Sequence, residues 1–516
     1  MRILAALCAL ALLPSAAHAE WLEVSSAHFV VYADDTERDA RKFSEQLERY
    51  HAAMEIVTGL EGQMPSPSNR VTVFVVKNPR QVQRLAGNRD VYGFYIPRAG
   101  GSVAFVPRVE VKSGQPDFSM IALLHEYAHH FLLSSSRFPS PRWFGEGGAE
   151  FFASAEFTTS GGVSVGMPAN HRGWELALAR NVKVAELVDP EAYEKKSRRN
   201  SYDAFYGKSW LLYHYLTFTP DRSGQLRRYV QAMARGKTSR EAAEEVFGDL
   251  DQLERELQRY LEQKTMLSLR FAPEQLTIQP IAVRQISKGE EEMMPIRLRS
   301  RRGVSREEAM EILVDARKVA ARYPADAAVL AALAEAEFDA GNDAEAIAAA
   351  DGALAIDPGQ VNAYVQKGFA LFRGAEEAED RTTAYRKAVA PFLALNKLEN
   401  DHPLPLIFYY RSFVDSGRQP PETAVLGLQR AAELAPFDLG LQMMVARELA
   451  SEGKFAEARY HLIPVAYSPH PDGLSEPARM AIEKIDSGSV EDRQELVRLM
   501  SGAEIEEEPA DGGSEG

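Results

Sequence analysis

Leu123-Leu124-His125-Glu126-Tyr127-Ala128-His129-His130-Phe131-Leu132-Leu133, followed by Pro141-Arg142-Trp143-Phe144-Gly145-Glu146-Gly147-Gly148-Ala149-Glu150-Phe151-Phe152, is the stretch on which the reading of this chain turns. Both segments have helical period. On the first, His125 and His129 stand four residues apart, so their rings leave one face and can share a cation. Glu126 sits one residue on, about 100° round the helix, where it can hold a water beside that cation without being a ligand. Leu123, Leu124, Phe131, Leu132 and Leu133 supply the apolar flank that buries the helix. Taken alone, the His-Glu-x-x-His pattern also fits a surface helix that matches by chance.

The second segment adds to it. Ser134-Ser135-Ser136 and Pro139-Ser140-Pro141 mark a turn that lets the chain come back, which makes Glu146 a natural third ligand. Two histidines and one carboxylate leave a coordination position open, the catalytic rather than the structural arrangement. Glu150, one turn after Glu146, is placed to accept the free ring N–H of a ligand histidine. Gly145, Gly147 and Gly148 form helices poorly and make sense where two helices must approach closely.

His-Glu-x-x-His followed by Trp-Phe-x-Glu-Gly-x-Ala-Glu resembles the gluzincin zinc metallopeptidases of the thermolysin and aminopeptidase N type. The likeness extends in layout over Trp21 to Lys264, with its specific motifs confined to residues 125–150 and one later stretch. It implies one zinc ion held by His125, His129 and Glu146, with Glu126 as general base and Glu150 as an acidic partner behind the ligands. The later stretch, Tyr202-Asp203-Ala204-Phe205-Tyr206-Gly207-Lys208-Ser209-Trp210, is similar to the Tyr-x-Lys-Gly segment of the aminopeptidase branch. Tyr206 matches the tyrosine that stabilises the oxyanion there, a role a phenol can fill by donating a hydrogen bond. Ser209 departs from that branch's glycine. So does the strand Gly100-Gly101-Ser102-Val103-Ala104-Phe105-Val106, which has no acid where true aminopeptidases bind the substrate amine. The expected activity is therefore endopeptidase rather than aminopeptidase, with that strand open to pair with an extended peptide as an edge. His130 is expected to be structural, and His28, His51, His171 and His214 to be core or surface residues.

Working toward the N-terminus, Trp21–Val24, His28–Tyr32, Val71–Val76, Tyr92–Ile96 and Ser102–Val106 have strand character. A long amphipathic helix spans about Thr36 to Thr58, with Phe43, Leu47, Tyr50 and Met54 at helical spacing. Arg2, the apolar run Ile3 to Leu13 and Ala17-His18-Ala19 form a secretory-signal pattern over residues 1–19. An uncleaved anchor or buried N-terminal helix is the other reading. The only cysteine, Cys8, lies within it, so a mature chain has no thiolate ligand and any metal rests on histidine and carboxylate. Export to a bacterial periplasm or beyond is expected, with no integral membrane segment after cleavage.

Toward the C-terminus the texture becomes alanine-rich and helical from about Ser305. Tyr323-Pro324, Asp357-Pro358 and Ala435-Pro436 follow helices, the first two prolines 34 residues apart. Turns recur in phase at Gly341-Asn342-Asp343 and Gly453-Lys454-Phe455. This resembles the tetratricopeptide repeat, in which stacked helix pairs share a continuous core. A generic alanine-rich bundle is the alternative.

The fold class expected is α+β: a gluzincin-like domain with a small mixed sheet and a helical lobe, then an all-α repeat solenoid. The boundaries are a signal at 1–19, the peptidase-like domain at 20–270, a linker or strand pair at 271–304, repeats at 305–475, and a terminal helix with an acidic disordered tail at 476–516. A net charge of -15 gives no general attraction to nucleic acid or anionic membrane, so the partners expected are a peptide or protein substrate and a protein bound by the repeats. A cell-envelope repeat scaffold with a metal-binding but non-catalytic domain is the rival function.

Overall fold

A computed structural model describes residues 21–60, 64–108, 114–135, 140–196, 202–468, 473–490 and 492–501. The signal pattern, the acidic tail and part of the turn before Ser140 lie outside the described residues.

The N-terminal part is built on a six-stranded sheet. Its strands are β1 (Trp21–Ser25), β2 (Phe29–Asp34), β3 (Val71–Val76), β4 (Phe94–Ile96), β5 (Val103–Pro107) and a later strand, Ala282–Gln285. The order is β4-β5-β3-β2-β1 and then Ala282–Gln285, with β2, β3 and β5 mutually parallel and the outer pairings antiparallel. Helix α1 (Glu37–Thr58) makes the crossover from β2 to β3. Thr36 caps its start by accepting from the Asp39 amide, and Gly59 ends it at φ 65°, a left-handed conformation that suits glycine.

Successive residues on each strand face opposite ways, so β3 serves two cores. Val71, Val73 and Val75 face α1 and α3 (Phe118–Ser135), while Phe74 and Val76 face α2 (Pro79–Ala86) and the helix Lys288–Arg302. Burial on both faces is why Val71–Val76 is apolar without alternation. The segment 271–304 is thus built into the fold: Ala282–Gln285 extends the sheet and Lys288–Arg302 covers one of its faces. A strand in this segment is one of the two expectations; the partner is what the pattern does not disclose, because Ala282–Gln285 is short, largely exposed and paired with β1 from the far end of the domain. Nor is the strand around Gly100–Val106 an edge; β4 shields β5 and takes the edge position.

After the sheet comes a lobe of helices: α3, α4 (Arg142–Ala153), α5 (Gly173–Leu178), α6 (Val184–Leu187), α7 (Pro190–Lys196) and α8 (Phe205–Phe218), then Gln225–Ala234, Ser239–Phe247 and Leu250–Leu261. A second, three-stranded sheet joins Glu156–Phe157, Val163–Val165 and Leu269–Phe271. From Arg306 the described chain is helical, with helices succeeding one another from Arg306–Arg322 to Arg493–Met500. The recurring prolines sit between helices, and Gly341 and Gly453 turn the chain at φ 86° and 79°. The helix after Asp380 is broken into Arg381–Ala388 and Ala390–Leu398, where Pro391 lacks the N–H that would continue it. Among the described residues no helix is long and apolar enough to cross a membrane.

The helical array rests against the sheet. The Ser68 amide and hydroxyl donate to Glu399 at 2.9 and 2.7 Å, the Ala99 amide donates to Asp438 at 2.9 Å, and Phe437 packs on the His130 ring at 4.4 Å.

Within the array, burial and the charge of Glu335 raise the Asp339 carboxyl to about 6. The folded chain holds this proton more tightly than the unfolded chain. Asp339 therefore favours folding below its unfolded value of about 4, and that contribution is lost as pH rises through 6. Asp339→Asn is expected to melt at a higher temperature than the wild type at about pH 7 and at the same temperature at about pH 4. Calorimetric melts at the two pH values check this.

Candidate metal centre

α3 begins where Asp117 accepts from the amides of Ser119 and Met120 at 3.0 and 2.9 Å, satisfying donors that the first turn leaves unpaired. Its buried face presents His125 and His129. α4 is buried almost throughout and lies against both α3 and α8. The glycines of α4 allow this. A Cβ at Gly147 would stand 2.5 Å from the Ser209 carbonyl oxygen of α8, and one at Gly148 would stand 3.3 Å from the Tyr213 ring. No side chain fits at Gly147 unless a helix shifts.

That approach brings Glu146 between the two histidines. Its Oε2 lies 3.3 Å from His125 Nε2 and 3.4 Å from His129 Nε2, and the two Nε2 atoms are 3.1 Å apart. Among the described residues these three form the one group of histidine, cysteine and acidic side chains whose ligand atoms converge on a metal-sized space. Ligands about 2.0–2.1 Å from a tetrahedral centre stand about 3.3 Å from one another, so the spacing suits a small divalent cation.

Electrostatics point the same way. Glu146 is fully buried and Glu150 is 1 % exposed. Burial alone would raise both carboxyls, yet hydrogen bonds and charge from the surrounding imidazoles outweigh it and hold both below their usual range. The converse holds at His125. Burial lowers it, but Glu146 and Glu150 together raise it to about 10. Glu146 is thus offset by positive charge from His125 and His129, and Glu150 by His125, His171 and Arg172.

Glu150 organises the ligands from behind. Its Oε1 lies 3.2 Å from His125 Nδ1 and its Oε2 lies 2.6 Å from His171 Nε2, while Arg172 donates to Oε1. Holding His125 through Nδ1 leaves Nε2 directed at the shared space. His171, expected only as a core or surface residue, and Arg172, which no motif marks, both bond Glu150. They sit on the turn Asn170–Arg172, and no helical or motif spacing links that turn to α4.

Glu126 keeps partial exposure between buried His125 and buried Tyr127 on α3. Tyr206, on the first turn of α8, is also partly exposed. Its ring centroid lies 6.5 Å from that of His125, the Arg172 guanidinium lies 4.8 Å over its ring, and Arg142 hydrogen-bonds to its phenol. Burial and the Glu146 charge raise the phenol, outweighing both arginines, so it keeps its proton and can donate it.

The other histidines hold the scaffold. His130 is bonded to the Tyr95 hydroxyl at 2.6 Å. His51 bonds the Tyr127 hydroxyl at 2.7 Å and stacks on His28, which Glu48 holds at 2.8 Å. His214 is buried against the Gly166 and Leu267 carbonyls and the Tyr260 hydroxyl.

No protein-family model matches the chain, and no curated protein matches it. Among solved structures it is similar to a thermophilic tetratricopeptide-repeat protein of Thermus thermophilus at 15% identity, covering 38% of this chain and 94% of that one, with a TM-score of 0.29.

Replacing Glu150 by Gln removes the charge behind His125 while keeping its shape. Metal affinity is expected to fall by about 10–100-fold, as competition with a chromogenic chelator reads, while the helical circular dichroism stays the same.

Proposed function

We propose that this chain is a zinc-dependent peptidase of the gluzincin type, cutting within polypeptides rather than removing N-terminal residues. The observation that carries the reading is the convergence of His125, His129 and Glu146, with partly exposed Glu126 next to His125 on the same helix. Two imidazoles and a carboxylate with no thiolate are the donor set of a hydrolytic zinc site.

Zinc bound there would act as a Lewis acid on the scissile carbonyl and lower the pKa of the attacking water. Glu126 takes the proton from that water and passes it to the leaving amine as the C–N bond breaks. Tyr206 donates its O–H to the carbonyl oxygen as negative charge develops there. Glu150, backed by His171 and Arg172, keeps the His125 ring in its orientation. The strand Val103–Pro107 carries no acid for a substrate amine, which favours internal cleavage.

In the same proposal, the C-terminal helix pairs are tetratricopeptide-like repeats that recruit a protein substrate or partner, and the chain is exported to a bacterial periplasm or beyond. The phase of the prolines and of the Gly341 and Gly453 turns supports the repeats.

Elemental analysis and a peptide-library assay test the reading together. The wild type is expected to carry one zinc per chain and to cleave internal bonds. Glu126→Gln should retain its zinc and lose about 10²–10⁴-fold or more in kcat. Zinc bound by a wild type that cleaves nothing in the library would overturn the peptidase and leave a metal-binding repeat scaffold. Tyr206→Phe should lower kcat by about 10²–10³-fold with little change in KM, because the hydrogen bond forms as charge develops.

A further inference from the structure

A cavity of about 710 Å³ lies where the metal-bearing lobe meets the C-terminal helices. Its walls include Val57 of α1, Leu132 of α3, Phe151 of α4, Tyr213 of α8, Val230 of helix Gln225–Ala234 and Ile463 of helix Phe455–Ala466. Leu132 is three residues after His129, on the same side of α3, and His129 itself forms part of the lining. The cavity therefore continues from the metal ligands along the helix into the seam between the two parts of the chain. Its size is that of a small-molecule site.

The lining is mainly apolar, and two of its hydroxyls are engaged elsewhere. The Thr58 and Thr217 hydroxyls donate to the Met54 and Tyr213 carbonyls of their own helices, at 2.7 and 2.8 Å. Each backbone N–H and C=O of a peptide buried here would need a partner, whereas a hydrocarbon chain asks this mainly apolar lining for none. One charge does border the space. Arg227 lines the cavity yet is exposed, so it stands where the cavity opens to solvent, and it makes no ion pair or side-chain hydrogen bond among the described residues.

We infer that this cavity binds a long-chain carboxylate, a free fatty acid, with its hydrocarbon chain between α3, α4 and α8 and its carboxylate on the Arg227 guanidinium. Because Ile463 closes one side, the ligand touches both the metal-bearing lobe and the helical array and favours the arrangement in which they are joined. The inference goes beyond the peptidase reading and does not require hydrolysis.

The full chain is titrated with cis-parinaric acid, a fatty acid whose fluorescence rises on leaving water for apolar surroundings. The expected result is a saturable rise at one ligand per chain, reversed by oleate. Val230→Trp fills the cavity and should remove the signal. Arg227→Glu lies at an exposed position and should weaken the acid roughly ten-fold while leaving the methyl ester of parinaric acid bound as before. Glu126→Gln should bind as the wild type does, which keeps this result separate from the peptidase test. Absence of a saturable rise in the wild type would overturn the inference. So would equal acid binding by Arg227→Glu, or displacement of the probe by an apolar peptide with an amidated C-terminus as readily as by oleate.

Discussion

The buried carboxylates of α4 are the constraint from which the rest of the site follows. Glu146 and Glu150 lie one turn apart on a helix that is apolar on almost every side, and both have lost nearly all contact with solvent. An isolated carboxylate in such surroundings would take up a proton. These two stay ionised because imidazoles and a guanidinium are packed against them. The pair thereby fixes where His125, His129, His171 and Arg172 must be, and it creates a spot between the histidines that calls for a cation. Breaking such an arrangement by removing one partner is far more damaging than its net contribution to stability suggests.

That constraint is met only because backbones come unusually close. With Gly147 against the Ser209 carbonyl, α4 and α8 pack at a distance that side chains would forbid. The same approach carries Tyr206, on the first turn of α8, to a ring-centroid distance of 6.5 Å from His125, and it accounts for Ser209 where the aminopeptidase pattern has glycine. Its backbone, not its hydroxyl, makes the contact with Gly147. On the other side of α3, the Tyr95–His130 hydrogen bond holds the helix to β4 and the Tyr127–His51 bond holds it to α1, where His51 stacks on His28. Phe437 then meets His130 from the helical array. Residues next to the ligands thus contact both the sheet and the array, so the geometry of the site is tied to how the two parts of the chain are joined.

Much of this was legible in the residues. The imidazoles of His125 and His129, the neighbouring Glu126, and the carboxylates of Glu146 and Glu150 are separated by one residue or by one helical turn within their helices, and helical period is local. The same is true of α1, whose buried Phe43, Leu47, Tyr50 and Met54 repeat at helical spacing, and of β3, whose unbroken apolar run announces burial on two faces. Glycine and proline punctuation likewise placed the turns of the C-terminal helices, since φ preferences belong to single residues.

Local pattern sets the chemistry each element carries and the face on which it carries it, because periodicity and backbone preference act over a few residues. Tertiary structure alone decided which distant elements meet. His171 and Arg172 reach Glu150 from a turn with no motif, Ala282–Gln285 joins β1 from the end of the domain, and β4 rather than β5 takes the sheet edge. Such pairings depend on the burial and hydrogen bonding of segments far apart in the chain, and a short exposed strand or a lone histidine carries no local pattern that announces its partner.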